Sequence, residues 1–272
     1  MDARHATGTK TKASKAPRSR GKATGSRGRK TADLRIGTSG WHYADWWGPF
    51  YPGDVKKKDA LQYYTGQFAA TELNAPFYRT PTPEAVEKWR ESTPDNFRFA
   101  WKASRFITHF RRLKIDEDSF DLLRSRLELL GDKLGPVLFQ LHPQMKVDRE
   151  RLAGFLDRLW KEWRYSLEFR HESWYEPAIL DLLSEFDAAL CISDHASAPA
   201  PCEVTASWVY VRNHGPGGRY QGSYSDAALK SWAKSIARWR GEGRDVWCFF
   251  DNDVKSAAPQ DAKRLIGMLE KS

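Results

Sequence analysis

Eight short apolar runs punctuate this chain, and nearly every one is followed at once by polar, charged or glycine residues. They end in Ile36-Gly37-Thr38-Ser39-Gly40-Trp41, Thr71-Glu72-Leu73-Asn74, Trp101-Lys102-Ala103-Ser104, Phe139-Gln140-Leu141-His142, Leu167-Glu168-Phe169-Arg170-His171, Ile192-Ser193-Asp194-His195, Val211-Arg212-Asn213-His214-Gly215 and Phe250-Asp251-Asn252-Asp253. A parallel (β/α)8 barrel (TIM barrel) writes this pattern, because all eight strands deliver their carboxyl ends to one face, where such barrels keep their sites. The pattern therefore gives an address for function before it gives a reaction.

Helical signals alternate with the strand signals. Thr82-Pro83-Glu84 sets a capping hydroxyl before a proline at the first helical position, and Ser225-Asp226 opens a segment with apolar residues at Leu229, Trp232, Ala233 and Ile236. Residues 120–130, 152–160, 179–186 and 262–269 also carry apolar residues three or four apart with charges between them, as two-faced helices do. Runs such as Pro136-Val137-Leu138-Phe139 are apolar throughout, as expected of a parallel strand with a barrel core on one side and helices on the other. Residues 196–207 are short and contain Pro199 and Pro201, so the connection between strands six and seven is predicted to be a loop in place of a helix.

The formal charge of +9 belongs to one end of the chain. Residues 1–32 hold ten Lys or Arg and one acid, whereas residues 33–272 hold 34 basic and 34 acidic residues. The first 32 residues also lack Leu, Ile, Val, Phe, Trp and Tyr. Such a segment cannot bury enough apolar surface to offset chain entropy, so a disordered basic tail is expected ahead of one barrel domain over 33–272. The tail could lie along nucleic-acid phosphates and release counterions, or act as a solubilising extension. No apolar stretch follows the basic residues as in a secretory signal, and none later approaches a membrane span. Cys191, Cys202 and Cys248 show no paired spacing for a disulfide framework or a zinc motif, which fits a cytoplasmic protein.

The motifs, taken in order, resemble one family. Arg35-Ile36-Gly37-Thr38-Ser39-Gly40-Trp41 with Tyr43, Trp46, Gly48 and Phe50-Tyr51-Pro52 is similar to the opening signature of the YecE-like proteins, domain of unknown function 72. Further matches are Thr71-Glu72-Leu73-Asn74 with Phe77-Tyr78-Arg79, Lys102-Ala103-Ser104 with Thr108-His109, Gly135 to Leu141, Glu168-Phe169-Arg170-His171 with Ser173-Trp174, Asp194, Tyr210-Val211-Arg212 with His214-Gly215, and Phe250 with Asn252-Asp253. The resemblance runs from about residue 34 to the end and implies a TIM barrel; it implies no reaction. Asp251 stands where the family pattern carries Asn, and His142 where a second proline is common.

The chemistry must then come from convergence at the strand ends. Glu72, Glu168, Asp194 and Asp253 are expected to ring the barrel mouth with His214, His171, Lys102 and Arg212, an arrangement in which charge and burial push pKa values apart. For any one of them the plainer expectation is a salt bridge closing the barrel. The leading reading is a hydrolase acting on the phosphoester or glycosidic bond of a phosphorylated or nucleotide-like substrate, with Glu168 as base, His214 as acid, and Lys102 and Arg212 stabilising developing negative charge. Glu72 and Asp194 complete that catalytic set. Substrate contacts are expected from Thr38, Ser39, Gly40, Trp41, Asn74, Tyr78, Arg79, Gln140, His171, Asn252 and Asp253. The Gly37-Thr38-Ser39-Gly40 turn could present N–H groups to a phosphate or simply turn the chain. Trp41 and Tyr78 suit stacking on a sugar or base, and Arg79 or Arg105 could hold an attached phosphate. No cofactor is predicted; a divalent metal, if bound, would use Glu168, Asp194 and His214. The rival reading is a non-catalytic barrel that binds a small anionic ligand, with nucleic acid held by the tail.

Overall fold

The structure is a computed structural model and describes residues 32–271; of the basic tail expected over residues 1–32, residues 1–31 lie outside the described residues. Eight strands, β1 (Leu34–Thr38), β2 (Ala70–Leu73), β3 (Arg98–Lys102), β4 (Leu134–Gln140), β5 (Tyr165–Glu168), β6 (Ala189–Ser193), β7 (Trp208–Asn213) and β8 (Asp245–Phe250), pair in parallel in the order β1-β8-β7-β6-β5-β4-β3-β2. The ring closes between β1 and β2 through a parallel bridge from Ser39 to Glu72. Gly37 makes this seam possible, since a Cβ there would lie 2.0 Å from the Ala70 carbonyl oxygen. The outer helices are α1 (Ala60–Thr65), α2 (Ala75–Tyr78), α3 (Pro83–Glu91), α4 (Glu117–Glu128), α5 (Arg149–Asp157), α6 (Pro177–Glu185), α7 (Asp226–Gly241) and α8 (Ala257–Leu269). The Thr82 and Ser225 side chains cap α3 and α7 by accepting from Ala85 N and Ala228 N. No helix joins β6 to β7, where the prolines fall. The fold is the TIM barrel that the alternation predicts.

Burial divides the apolar residues into two compartments. Ile36, Phe99, Val137, Phe139, Leu167, Val209 and Val211 pack with the helices in the outer layer. The barrel interior is a smaller cluster in which Trp208, Tyr210, Trp247 and Phe249 fill space left by Ala70, Ala100, Ala189 and Cys191. Side chains alternate along a strand, so positions two residues beyond this interior set also point inward. Those positions are Glu72, Lys102, Gln140, Ser193, Arg212 and Asp251, and Ser39 and Glu168 complete the tier from β1 and β5. All eight are buried. Six of these eight, all but Ser39 and Glu168, sit two residues beyond an apolar side chain of the interior cluster.

Candidate functional site

Arg212 is the hub of that tier. Its guanidinium, 0% exposed, lies with Nη2 2.8 Å from Glu72 Oε1 and 2.6 Å from Asp251 Oδ2, and with Nη1 2.9 Å from Glu168 Oε2. Glu72 also accepts from the Tyr210 hydroxyl at 2.7 Å and from Ser39 Oγ at 2.5 Å. Glu168 accepts from Gln140 Nε2 at 2.9 Å and pairs with Arg170 at 2.6 Å. Burial alone would raise both glutamates. For Glu72, Arg212 and then Lys102 outweigh it; for Glu168, Arg170 and then Arg212 do, and both stay below the usual carboxylate range.

This geometry corrects several expected roles. Glu168 is a carboxylate stabilised in its charged form by two guanidiniums, which makes it a poor proton acceptor. His214 Nε2 lies 2.9 Å from Arg212 Nη1 and 3.2 Å from Arg170 Nη2; guanidiniums only donate, so Nε2 accepts and the ring proton belongs on Nδ1, 3.3 Å from Asp194 Oδ1. Asp194 also accepts from His214 N at 2.6 Å and from the Tyr224 hydroxyl, so it anchors the loop after β7. Among the described residues no group of three His, Cys, Asp or Glu side chains is placed to hold a metal, and Glu168, Asp194 and His214 are engaged as described. The turn after β1 offers no phosphate cradle through its first two amides: Ser39 N donates to Phe250 O and Gly40 N to Glu72 O. Thr38 Oγ1 donates to Gly40 O, His171 accepts from Ser173 N as a helical cap, and Asn252 Nδ2 bonds Gly222 O and Asp261. These three residues shape loops. Arg79 is exposed at the end of α2.

Two groups at the mouth differ from this satisfied frame. Lys102 is 4% exposed, yet among the described residues it makes no ion pair; its Nζ lies 4.2 Å over the ring of Phe77. Burial, and then the charge of Arg212, push its ammonium down to about 8. The other is Asp253, whose carboxyl is raised to about 9 by burial and then by Asp251, and so is protonated at neutral pH. Its Oδ1 is buried with no hydrogen-bond partner among the described residues, as is Arg170 Nε.

Residues outside the expected set complete the mouth. Asp251 and Arg170 belong to the ion-pair network, and Tyr210 extends it downward. His109, on a π-helical turn over Phe106–Phe110, stacks edge-on with His142 and Phe77. Its pKa falls to about 4 through burial and then through His142, Lys102 and Arg170. His195 falls to about 4 through burial and then Arg170. Both imidazoles are neutral at pH 7 beside fixed cations. The inward period along β7 could have placed Tyr210 with Arg212; the strand-end motifs carried Arg170 and Asp251 without showing their partners.

Residues 35–272 match the family model described as protein of unknown function DUF72. The chain belongs to the DUF72 family. It is 28% identical over 270 residues to the UPF0759 protein YunF of Bacillus subtilis, covering 87% of this chain and 95% of that protein. It is 35% identical over 118 residues to YecE of Escherichia coli K12, covering 43% of each. A DUF72 protein from Thermotoga maritima superposes with a TM-score of 0.78 at 25% identity, covering 88% of this chain and 99% of the other. A DUF72 protein from Enterococcus faecalis shares the fold with a TM-score of 0.70 at 20% identity, over 88% and 96% of the two chains. Among the described residues of this DUF72 chain no helix is long and apolar enough to cross a membrane.

Proposed function

We propose that this barrel is a hydrolase-like enzyme that holds the anionic group of a small phosphorylated substrate at the strand carboxyl ends, between Lys102 and Arg170. The observation that carries the reading is a surplus of donors: a buried ammonium with no paired acceptor and a buried guanidinium N–H with none. Buried charged donors without acceptors are costly, and an oxyanion is the kind of acceptor that each lacks. Arg212 is already saturated by three carboxylates, so it serves as the frame that holds Glu72, Glu168 and Asp251 in place.

Asp253 supplies the acid. It carries a proton at neutral pH and can pass it to the departing atom when the scissile bond breaks, while water adds its oxygen to the reacting centre. The water's proton goes to the neutral imidazole of His109, whose basicity rises once a substrate anion offsets the field of Lys102 and Arg170. The test is titration of the protein with ribose 5-phosphate, followed by mass spectrometric analysis of products across a panel of phosphorylated compounds. Binding is expected to disappear in Lys102→Met, and turnover to disappear in Asp253→Asn with binding retained. Binding without any product in the wild type supports the non-catalytic barrel instead, and Lys102-independent binding overturns the reading.

A further inference from the structure

A second concavity opens beside the mouth, between the loop after β1 and the segment after β2. Its volume is about 310 Å³, at the lower end for small-molecule sites, and Trp41, Tyr43, Leu73, Asn74, Tyr78 and Trp89 line it. Trp41 and Trp89 meet edge to face at 5.7 Å, which fixes the back of the pocket, whereas Tyr78 is 61% exposed at its entrance. The fold builds this space deliberately. Gly40 adopts φ +87°, and a Cβ there would lie 2.8 Å from the Tyr43 hydroxyl, so the turn that presents Trp41 and Tyr43 requires glycine.

Asn74 contributes an unpartnered acceptor to this lining. Asn74 Oδ1 is buried and has no hydrogen-bond partner among the described residues. A buried, unpartnered acceptor wants a donor, and the walls around it are aromatic and aliphatic apart from His42 and the tyrosine hydroxyls. A sugar ring would set several hydroxyl groups against walls dominated by Trp41, Leu73, Tyr78 and Trp89, with His42 and the tyrosine hydroxyls as the other polar groups of the lining. A planar heterocycle with an N–H edge and two apolar faces meets both conditions. The pocket also adjoins the reaction centre on two sides: Tyr43 sits against Asp253, and α2 carries Tyr78 at the pocket and Phe77 beneath Lys102.

We infer that this pocket binds the base of a nucleotide, with an N–H of the base donating to Asn74 Oδ1 and its faces against Trp41 and Tyr78, while the phosphate lies toward Lys102. The inference rests on the anion-holding role of Lys102 proposed above and adds the chemical class of the substrate. The experiment is titration of the full chain with AMP, GMP, CMP, UMP and ribose 5-phosphate, read by calorimetry and by quenching of tryptophan fluorescence. At least one nucleotide is expected to bind about ten-fold or more tighter than ribose 5-phosphate, the gain that stacking on aromatic side chains typically gives, and to quench where ribose 5-phosphate does not. Tyr78→Ala, at an exposed position that folding tolerates, is expected to remove that gain and leave ribose 5-phosphate unchanged; Asn74→Leu is expected to do the same. If ribose 5-phosphate binds through Lys102 and no nucleotide binds more tightly, or if Tyr78→Ala leaves the preference intact, the base pocket is wrong and the anion site stands. If none of the five binds, both are overturned.

Discussion

Arg212 on β7 reaches across the barrel mouth to Glu72 on β2, with Nη2 2.8 Å from Oε1 and both side chains fully buried. The two residues are separated in the ring by β8 and β1, so their contact spans the seam where the barrel closes. Removing one partner of such a pair leaves an uncompensated buried charge, which costs about 3–5 kcal/mol. Here three carboxylates lose their common partner, so Arg212→Met is expected to lose at least that much stability in urea denaturation at pH 7.

That loss should depend on pH in a particular direction. The native carboxyls of Glu72 and Glu168 lie below their unfolded value, so in the wild type their contribution is present above about pH 4.5 and is lost as pH falls through the native values. In Arg212→Met, Glu72 is desolvated without its guanidinium and gains from protonation, while Glu168 keeps only Arg170. Denaturation midpoints of variant and wild type are therefore expected to converge on going from pH 8 to pH 5; a gap that stays constant would contradict the ion-pair account.

Lys102 predicts the opposite trade. Its native pKa of about 8 is lower than the roughly 10.4 of an unfolded lysine, so its burial lowers stability below pH 8 and this cost vanishes as pH rises toward the unfolded value. Lys102→Met is expected to melt higher than the wild type at pH 7, with the difference shrinking between pH 8 and 10.5, and to bind no phosphorylated ligand. Gain of stability with loss of function marks a residue kept for chemistry.

Asp253→Asn should also stabilise the fold, because the native carboxyl holds its proton to about pH 9 while the unfolded one releases it near 4. In that window the unfolded state binds fewer protons, so wild-type stability falls as pH rises. Asparagine keeps the shape without the proton. Melting curves are expected to favour Asp253→Asn by at least about 2 °C at pH 8 and by less at pH 5.

The fold was legible because strand and helix signals are local. Runs such as Pro136 to Phe139 and caps at Thr82 and Ser225 need no distant partner to be read, and the prolines at 199 and 201 announce a missing helix. The site was legible as a set of positions, since the period of two carries Glu72, Lys102 and Arg212 to one inward tier. Its pairings were not. Which carboxylate meets Arg212 depends on the circumference and stagger of the closed ring, and no local pattern records that Glu168 is claimed by two arginines while Lys102 has none. For the same reason His171 was expected at the mouth and proves to be a cap, and Asn74 was expected to touch ligand without the orphaned oxygen that gives the expectation its chemistry.

The account turns on Lys102 being a cation held for a ligand anion, and NMR of the protein labelled with 13C at lysine Cε measures that directly, with the Lys102 signal assigned by its loss in Lys102→Met. The account predicts a titration near pH 8 in the free protein and a clear upward shift when ribose 5-phosphate is added at saturating concentration. A titration near 10.4, unmoved by the phosphate, would contradict it.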